Sequence, residues 1–525
     1  MIILPAATGT PAALPKDAAR QPGVSPQVMV RAPRWAWLCA GGAFCLFLCF
    51  AAAYVLTRSP WWDEGVFADV AMNFRNHGHL GSSLLAPHGY NNMPGVHRYT
   101  YWQFPLYLIS LGAWFRILPP TIEAMRLFSL FWACIYLAAW FFFVRALSRN
   151  ETLALVTSSI IALGYIFVQD ASDGRMETMC AALGQAALAV YVCQRDRNHT
   201  LAVALAGCLG AASLFCHPMG AVTNAFLAIL LLRDWRRFRR RDLAVFCAPY
   251  LLGGGLCLWY IAQAPGIFVA QYEAASGYRV SGFTALLKQA CSDFDIRYFQ
   301  ACFAGQGRLK PFALLFGLAG FVAVALSRRL RSIPPARLLL LYSCIGYLGV
   351  ALIDNQEFWY YLIYSMPMLY ACGAVWLYDS WKKRTLGRFL AAVLLAGSVG
   401  STCTAFRANV QRDTFRNSYE PALAAIKHYL RPGGFVMAPS EFGFALGWGP
   451  PLVDDCYLGY HSGIRPDVYV MHNDCNPGRY PETHRAWKWS RETLAKDYKL
   501  VQAEHTFWPY WIYVRKDLLR PAGTP

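Results

Sequence analysis

The feature that most constrains this chain is its series of long apolar runs. The stretch from Trp35 to Leu56 stays apolar for roughly twenty residues, enough for a helix to cross the hydrocarbon of a bilayer. Further runs of that order lie at 125–147, 151–168, 178–193, 199–215, 217–232, 243–263, 310–327, 335–353, 358–378 and 386–405. Together they predict a mainly α, polytopic membrane protein of about eleven transmembrane helices. Composition agrees, with 56% of 525 residues hydrophobic and 15% charged, too oily for an ordinary soluble domain. The first run is longer than a signal-peptide core and lacks a small-x-small cleavage site, so it reads as a retained span. Most of the 17 cysteines lie inside apolar runs, where they serve as small hydrophobes. Cys291 with Cys302, or Cys456 with Cys475, can pair only if their loops face an oxidising compartment.

A net charge of +18 invites a nucleic-acid reading, but the arginines cluster in short junctions between apolar runs instead of lining one soluble face. Arg145 and Arg149, Arg195 and Arg197, the run from Arg233 to Arg241, Ser327 to Arg331, and Lys382 to Arg384 occupy alternate junctions. By the positive-inside rule these junctions are cytoplasmic. PLYLISLGAWFRIL, from Pro105 to Leu118, is too short to span, begins at proline and carries Arg116, so it is expected as an interfacial helix.

The expected organisation is a disordered cytoplasmic tail over 1–34, a transmembrane domain over 35–405, and an extracytoplasmic α/β domain over 406–525. Two outer loops, 57–124 and 264–310, belong to the transmembrane domain. In the last region ALAAIKHYLRPGGFVMAPS reads as helix, turn and strand, while DVYVM and FWPYWIYVRKDLL each supply a strand. The multi-pass protein is thus placed in the plasma (inner) membrane, with its acidic loops and last domain outside.

The outer side carries the chemistry. In SPWWDEGVFADVAMNF, Asp63 and Glu64 follow two belt tryptophans, and helical spacing of Val66, Phe67, Val70 and Phe74 leads to Gly78 as a helix stop. Such carboxylates equally serve as helix caps, and both readings stand at this point. A second cluster, QDASDGRMETM, places Asp170, Asp173, Arg175 and Glu177 in a short loop between two spans. Charges at a membrane boundary favour a functional site, and a guanidinium fork suits a phosphate. The competing reading is an ion pair of Arg175 with Asp173 or Glu177 that fastens two helices.

WWDEGVFADVAMNF, RYTYWQFPLYLISLGAWFRIL leading into EAMRLFS, GRMETM, and NQEFWYYLIYSMPML follow one another in an order that resembles the GT-C glycosyltransferases. The resemblance is to the family of dolichyl-phosphate-mannose protein mannosyltransferases and the bacterial aminoarabinose transferase, and it covers about Trp35 to Tyr378. It implies inverting transfer of one monosaccharide from a polyprenyl-phosphate donor to an extracytoplasmic protein, lipid or glycan. Asp63 matches the family's catalytic aspartate, which would act as general base, and Glu64 would orient the sugar or acceptor. Arg175 would face the donor phosphate, with Asp173 and Glu177 beside it. Glu177 stands where many relatives carry Asp. His217, Tyr360 and Tyr361 would complete the donor site. For His217 the alternative is a local hydrogen bond beside a proline, and for the tyrosines an anchor at the interface.

No cofactor is implied. A divalent metal on His77, His79, His88 and His97 is a weaker option, since the H-x-H spacing fits no standard site. Walker, dinucleotide and Ser-His-Asp signatures are absent from the expected elements. A transporter or lipid-linked sugar flippase is the alternative class, for which broken helices and repeated halves would be expected.

Overall fold

The structure, a computed structural model, describes residues 29–86, 93–276, 283–300, 310–354, 358–472, 484–503 and 509–519. The tail over 1–28, His88, Cys302 and Cys475 lie outside these residues.

Each of the eleven apolar stretches is helical. The first half of the bundle comprises α1 (Arg34–Thr57), α4 (Ile122–Ser148), α5 (Glu151–Ala162), α6 (Tyr165–Ser172), α7 (Met176–Gln194), α8 (His199–Cys216), α9 (Gly220–Arg233) and α10 (Arg240–Ala262). Two helices of the first outer loop, α2 (Trp62–His77) and α3 (Pro105–Trp114), come between α1 and α4. The second half comprises α13 (Lys310–Leu326), α14 (Ala336–Ile353), α15 (Met366–Lys382) and α16 (Gly387–Arg412), preceded by α11 (Pro265–Ser276) and α12 (Phe283–Asp293). Among the described residues seven helices are long and apolar enough to cross a membrane: α1, α4, α7, α8, α10, α14 and α16. α5 and α6 are long and apolar enough only when taken together, and they meet at a bend of 66°.

Side-chain caps begin several helices where the sequence places Thr or Asn. Thr121 accepts the N–H of Ala124 at 3.2 Å, Asn150 that of Leu153 at 3.0 Å, and Asn198 that of Leu201 at 3.1 Å. Gly78 closes α2 at φ +75°, as its position after the apolar repeat implies. The ten residues of α3 are too few to span, and the helix packs on α2 so closely that a Cβ at Gly112 would lie 2.8 Å from the Ala71 carbonyl oxygen.

The arginine-bearing junctions touch one another. Asn150 donates to Tyr378 at 2.7 Å, Arg329 pairs with Asp379, and Arg195 meets Asp234 at 2.9 Å. Val30, ahead of α1, bridges to Asn150 in the same layer. At the opposite end of α1, Arg58 meets Asp173, so the helix separates an arginine side from an acidic side.

The last span, α16, runs to Arg412, past the expected boundary at 405, before the polar C-terminal region begins. There α17 (Glu420–Tyr429) and α18 (Arg485–Asp497) flank a sheet of β1 (Val436–Met437), β2 (Leu452–Val453), β3 (Val468–Met471), β4 (Tyr498–Ala503) and β5 (Trp511–Arg515). Its order is β2-β1-β3-β5-β4, with β1 parallel to both neighbours and β5 antiparallel to both of its own. One face buries Ile426, Val436, Phe442 and Val468, the other Met437, Tyr469 and Leu494. Cys456 is disulfide-bonded, whereas Cys291 is a free thiol, so the Cys291–Cys302 pairing does not form.

Candidate active site

The chain leaves α1 extended and enters α2 after Trp61, so Asp63 and Glu64 fall in the first turn, where free N–H groups and the helix dipole favour carboxylates. Glu64 accepts the N–H of Trp61 at 2.8 Å. It also receives Arg126 through two parallel bonds, of 2.9 Å from Nε and 2.8 Å from Nη2, and the N–H of Gly174 at 2.7 Å. Arg126 spends its other donors on the carbonyls of Val55, Arg58 and Ser59 at 2.9–3.0 Å. Burial alone would raise the Glu64 carboxyl, but Arg126 and the two N–H groups outweigh it and hold the group below its ordinary range. With 0% exposure and four protein donors, Glu64 has no face left for a sugar or acceptor. Glu64, expected to orient the sugar or acceptor, ties α1, α2, α4 and the turn before α7 into one knot.

Asp63, one residue earlier and about 100° around the helix, has a different setting. Its side chain keeps 20% exposure and pairs with Nη1 of Arg175. The other edge of the guanidinium grips Glu177, Nη2 to Oε1 at 2.7 Å and Nε to Oε2 at 3.2 Å. The ring of Tyr360 lies 3.8 Å from the guanidinium carbon, with Trp61 at 4.9 Å and Phe67 at 5.8 Å. Arg175 is therefore fixed by a carboxylate pair on one edge, an aromatic face beneath, and Asp63 ahead of it. Of the two sequence readings of Arg175, the ion pair with Glu177 forms, and the same cation also reaches Asp63.

The bend between α5 and α6 makes this meeting possible. QDASDGRME was expected as a loop, but most of it is helical: Asp170 lies in α6 and Glu177 in the first turn of α7. Only Asp173, Gly174 and Arg175 connect them, and the N–H of Arg175 closes the turn onto the Asp173 carbonyl at 2.8 Å. Asp173 is buried and binds Arg58 Nη1 at 2.5 Å. It is a partner of Arg58 at the end of α1, outside the Arg175 cluster.

His217 follows α8, half-buried, and its Nδ1 accepts the N–H of Met219 at 3.2 Å. That is the local bond weighed against a donor-site role, although its ring also lies 5.4 Å from Tyr361. Tyr361 contacts Tyr360 at 4.7 Å and sits 5.9 Å from the guanidinium of Arg297. Arg297 is fully buried between Asp293 at 2.7 Å and Asp354 at 2.9 Å, and it donates to the Phe358 carbonyl at 3.1 Å, which pins the segment carrying both tyrosines.

Arg126, Arg297 and Arg58 were missed as organisers of the site. The first had a readable signal, an arginine within an apolar span, because such a charge in hydrocarbon demands a partner. Among the described residues no group of three or more His, Cys, Asp or Glu side chains is placed to hold a metal, and His77 and His79 stack on each other at 5.9 Å.

No family model and no curated protein matches the sequence. Solved structures do match its fold. ArnT from Cupriavidus metallidurans, bound to undecaprenyl phosphate, superimposes with a TM-score of 0.61 at 14% identity, over 94% of this chain and 100% of ArnT. The fold is that of the GT-C glycosyltransferases. The oligosaccharyltransferase of Archaeoglobus fulgidus, in complex with Zn and sulfate, gives 0.51 at 12% identity over 92% of this chain and 74% of its own length. The archaeal oligosaccharyltransferase AglB from the same organism, with an inhibitory peptide and a dolichol-phosphate, gives 0.50 at 11% identity over 93% and 76%. At these identities the likeness is one of architecture alone.

Proposed function

We propose that this protein is an inverting glycosyltransferase that moves a monosaccharide from a polyprenyl-phosphate donor to an extracytoplasmic protein, lipid or glycan. The observation that carries the reading is the meeting of Asp63, Arg175, Glu177 and Tyr360 within a GT-C fold. ArnT and AglB were solved with undecaprenyl phosphate and dolichol-phosphate, which supports a polyprenyl phosphate as the lipid here. Asp63 is the part-exposed carboxylate of the pair and takes the proton of the acceptor hydroxyl as its oxygen attacks the anomeric carbon. The bond from that carbon to the phosphate oxygen breaks, and the electron pair leaves with the lipid phosphate. Arg175, held rigid by Glu177 and Tyr360, faces the charge that develops there, so no reorganisation is needed as the bond breaks. A single displacement inverts the anomeric centre. His217 and Tyr361 line the same donor side.

The arginine junctions support an acidic side outside the cytoplasm, and the Cys456 disulfide supports an oxidising compartment for the C-terminal α/β domain. The test is mass analysis of lipid-linked sugars and glycans in cells with and without the chain. Loss of the chain is expected to raise one polyprenyl-phosphate sugar and remove one sugar from an acceptor. Unchanged pools, together with flux of a labelled lipid, would replace the reading with transport.

A further inference from the structure

α2 is bound on two sides. Its apolar side, with Phe67, Ala68 and Ala71, belongs to the core of the membrane bundle, where Phe67 packs against Tyr107 of α3. The other side, built from residues 62, 65, 69 and 73, follows helical spacing and faces the C-terminal sheet unit with its attached strand. The indole Nε1 of Trp62 donates to Asp454 Oδ2 at 2.7 Å. That same oxygen receives the N–H of Ser440 at 2.9 Å and its hydroxyl at 2.5 Å, and Asp454 is 3% exposed. Gly65 touches the Ser440–Glu441 turn so closely that a Cβ would stand 2.2 Å from backbone atoms of both residues. Asp69 accepts the Ser82 hydroxyl and the N–H groups of Ser83 at 3.1 Å and Leu84 at 3.2 Å. Asn73 closes the face, donating to the Gly81 carbonyl at 2.7 Å. The strand that these residues hold is itself paired with the end of β2, since Asp454 donates its N–H to Leu84 at 2.8 Å and accepts from Ala86 at 3.0 Å.

We propose that the C-terminal sheet unit is the outer mount of the catalytic helix, and that Asp454 is a positioning residue acting on Asp63 through Trp62. Trp62 is the first helical residue of α2 and the covalent neighbour of Asp63, so fixing its indole fixes the rotation of the first turn about the helix axis. Glu64 and Arg126 fix the same turn from the bundle side. Asp63 lies between these two anchors, and its reach to Arg175 depends on both. The sheet unit thereby belongs to the catalytic assembly itself, in addition to any part in acceptor choice. The kinetic side of this inference rests on the proposed role of Asp63; the structural side does not.

The test is a double-mutant cycle of Trp62→Phe and Asp454→Ala in the full chain reconstituted in liposomes. The donor probe is the lipid-linked sugar extracted from cells that lack the chain. Each single variant is expected to lower kcat about tenfold or more while donor KM stays within about twofold, and the double variant to be no slower than the slower single. Asp454→Asn keeps an oxygen for the indole and is expected to recover most of the rate, which also serves if Asp454→Ala fails to fold. Hydrogen exchange of the Glu64–Val66 amides, read without substrate, is expected to quicken in Trp62→Phe and Asp454→Ala. Penalties that multiply in the double variant, or first-turn amides that exchange as in the parent, would overturn the mount. If no sugar transfer is found at all, the exchange arm still decides it.

Discussion

Asp63 and Glu64 are adjacent in the chain and sit in two regions of opposite character. Glu64 is sealed in a knot of four donors with a buried arginine, and nothing from outside can reach it. Asp63 faces a cluster that is equally charged but open on one side, where Arg175 is braced by Glu177 and Tyr360. The helix turn of about 100° per residue puts the two carboxylates into different surroundings, and in the proposed function only Asp63 takes part in the chemistry.

The largest loss is expected on the sealed side. Arg126→Ala leaves Glu64 buried without its cation and three carbonyls without a donor, so a loss of about 3–5 kcal/mol in stability is expected. Yield and melting temperature of the detergent-purified chain measure it, and Arg126→Lys should not restore it, since an ammonium cannot make the paired bonds. On the open side, Arg175→Ala should spare insertion but raise donor KM by about 10–100-fold, the worth of a charged hydrogen bond or two. A parent-like donor KM would remove the phosphate role. Tyr360→Ala withdraws the ring beneath the guanidinium, worth about 2 kcal/mol when desolvated, whereas Tyr360→Phe keeps the face and should stay within about twofold of the parent.

A pH dependence is expected at the outer face of α2. Burial pushes the Asp69 carboxyl up to about 7 against the pull of its Ser82 and backbone donors, and burial likewise pushes Asp454 to about 6. A carboxyl whose folded value is raised holds its proton in the folded chain over a range where the unfolded chain has lost it. Stability is then greatest in acid and falls as pH rises from about 4 through about 6 for Asp454 and about 7 for Asp69. The melting temperature should decline between pH 5 and pH 7, and Asp69→Asn should flatten part of that decline.

How far the sequence reached depends on the range of each interaction. Apolar length marked each helix of the bundle, but of the eleven expected spans seven helices and one bent pair are long enough to cross a membrane among the described residues; Gly78 marked the end of α2 because only local backbone geometry is involved. The strands β1, β3 and β5 were visible as short β-branched or aromatic runs. β2 follows directly on Gly449, Pro450 and Pro451, which read as a turn, and β4 in YKLVQA lacks that pattern. The acidic and basic members of the site stood out because charge at a membrane boundary is costly. Their partners did not, since Trp62 meets Asp454 across 392 residues and Arg58 meets Asp173 across 115, pairings that leave no periodic trace. The 66° break at Leu163 and Gly164 was hidden inside one continuous apolar run, which is why a loop was expected where α6 and α7 stand.

The most direct measurement is single-turnover release of polyprenyl phosphate from the extracted donor by the liposome-reconstituted chain and its Asp63→Asn form, with membranes of cells that lack the chain as the source of acceptor. Asp63→Asn should bind the donor as the parent does and release it about 10²–10⁴-fold more slowly, the usual worth of a general base. Release at the parent rate from a folded, inserted Asp63→Asn protein would contradict the assignment of chemistry to the open carboxylate.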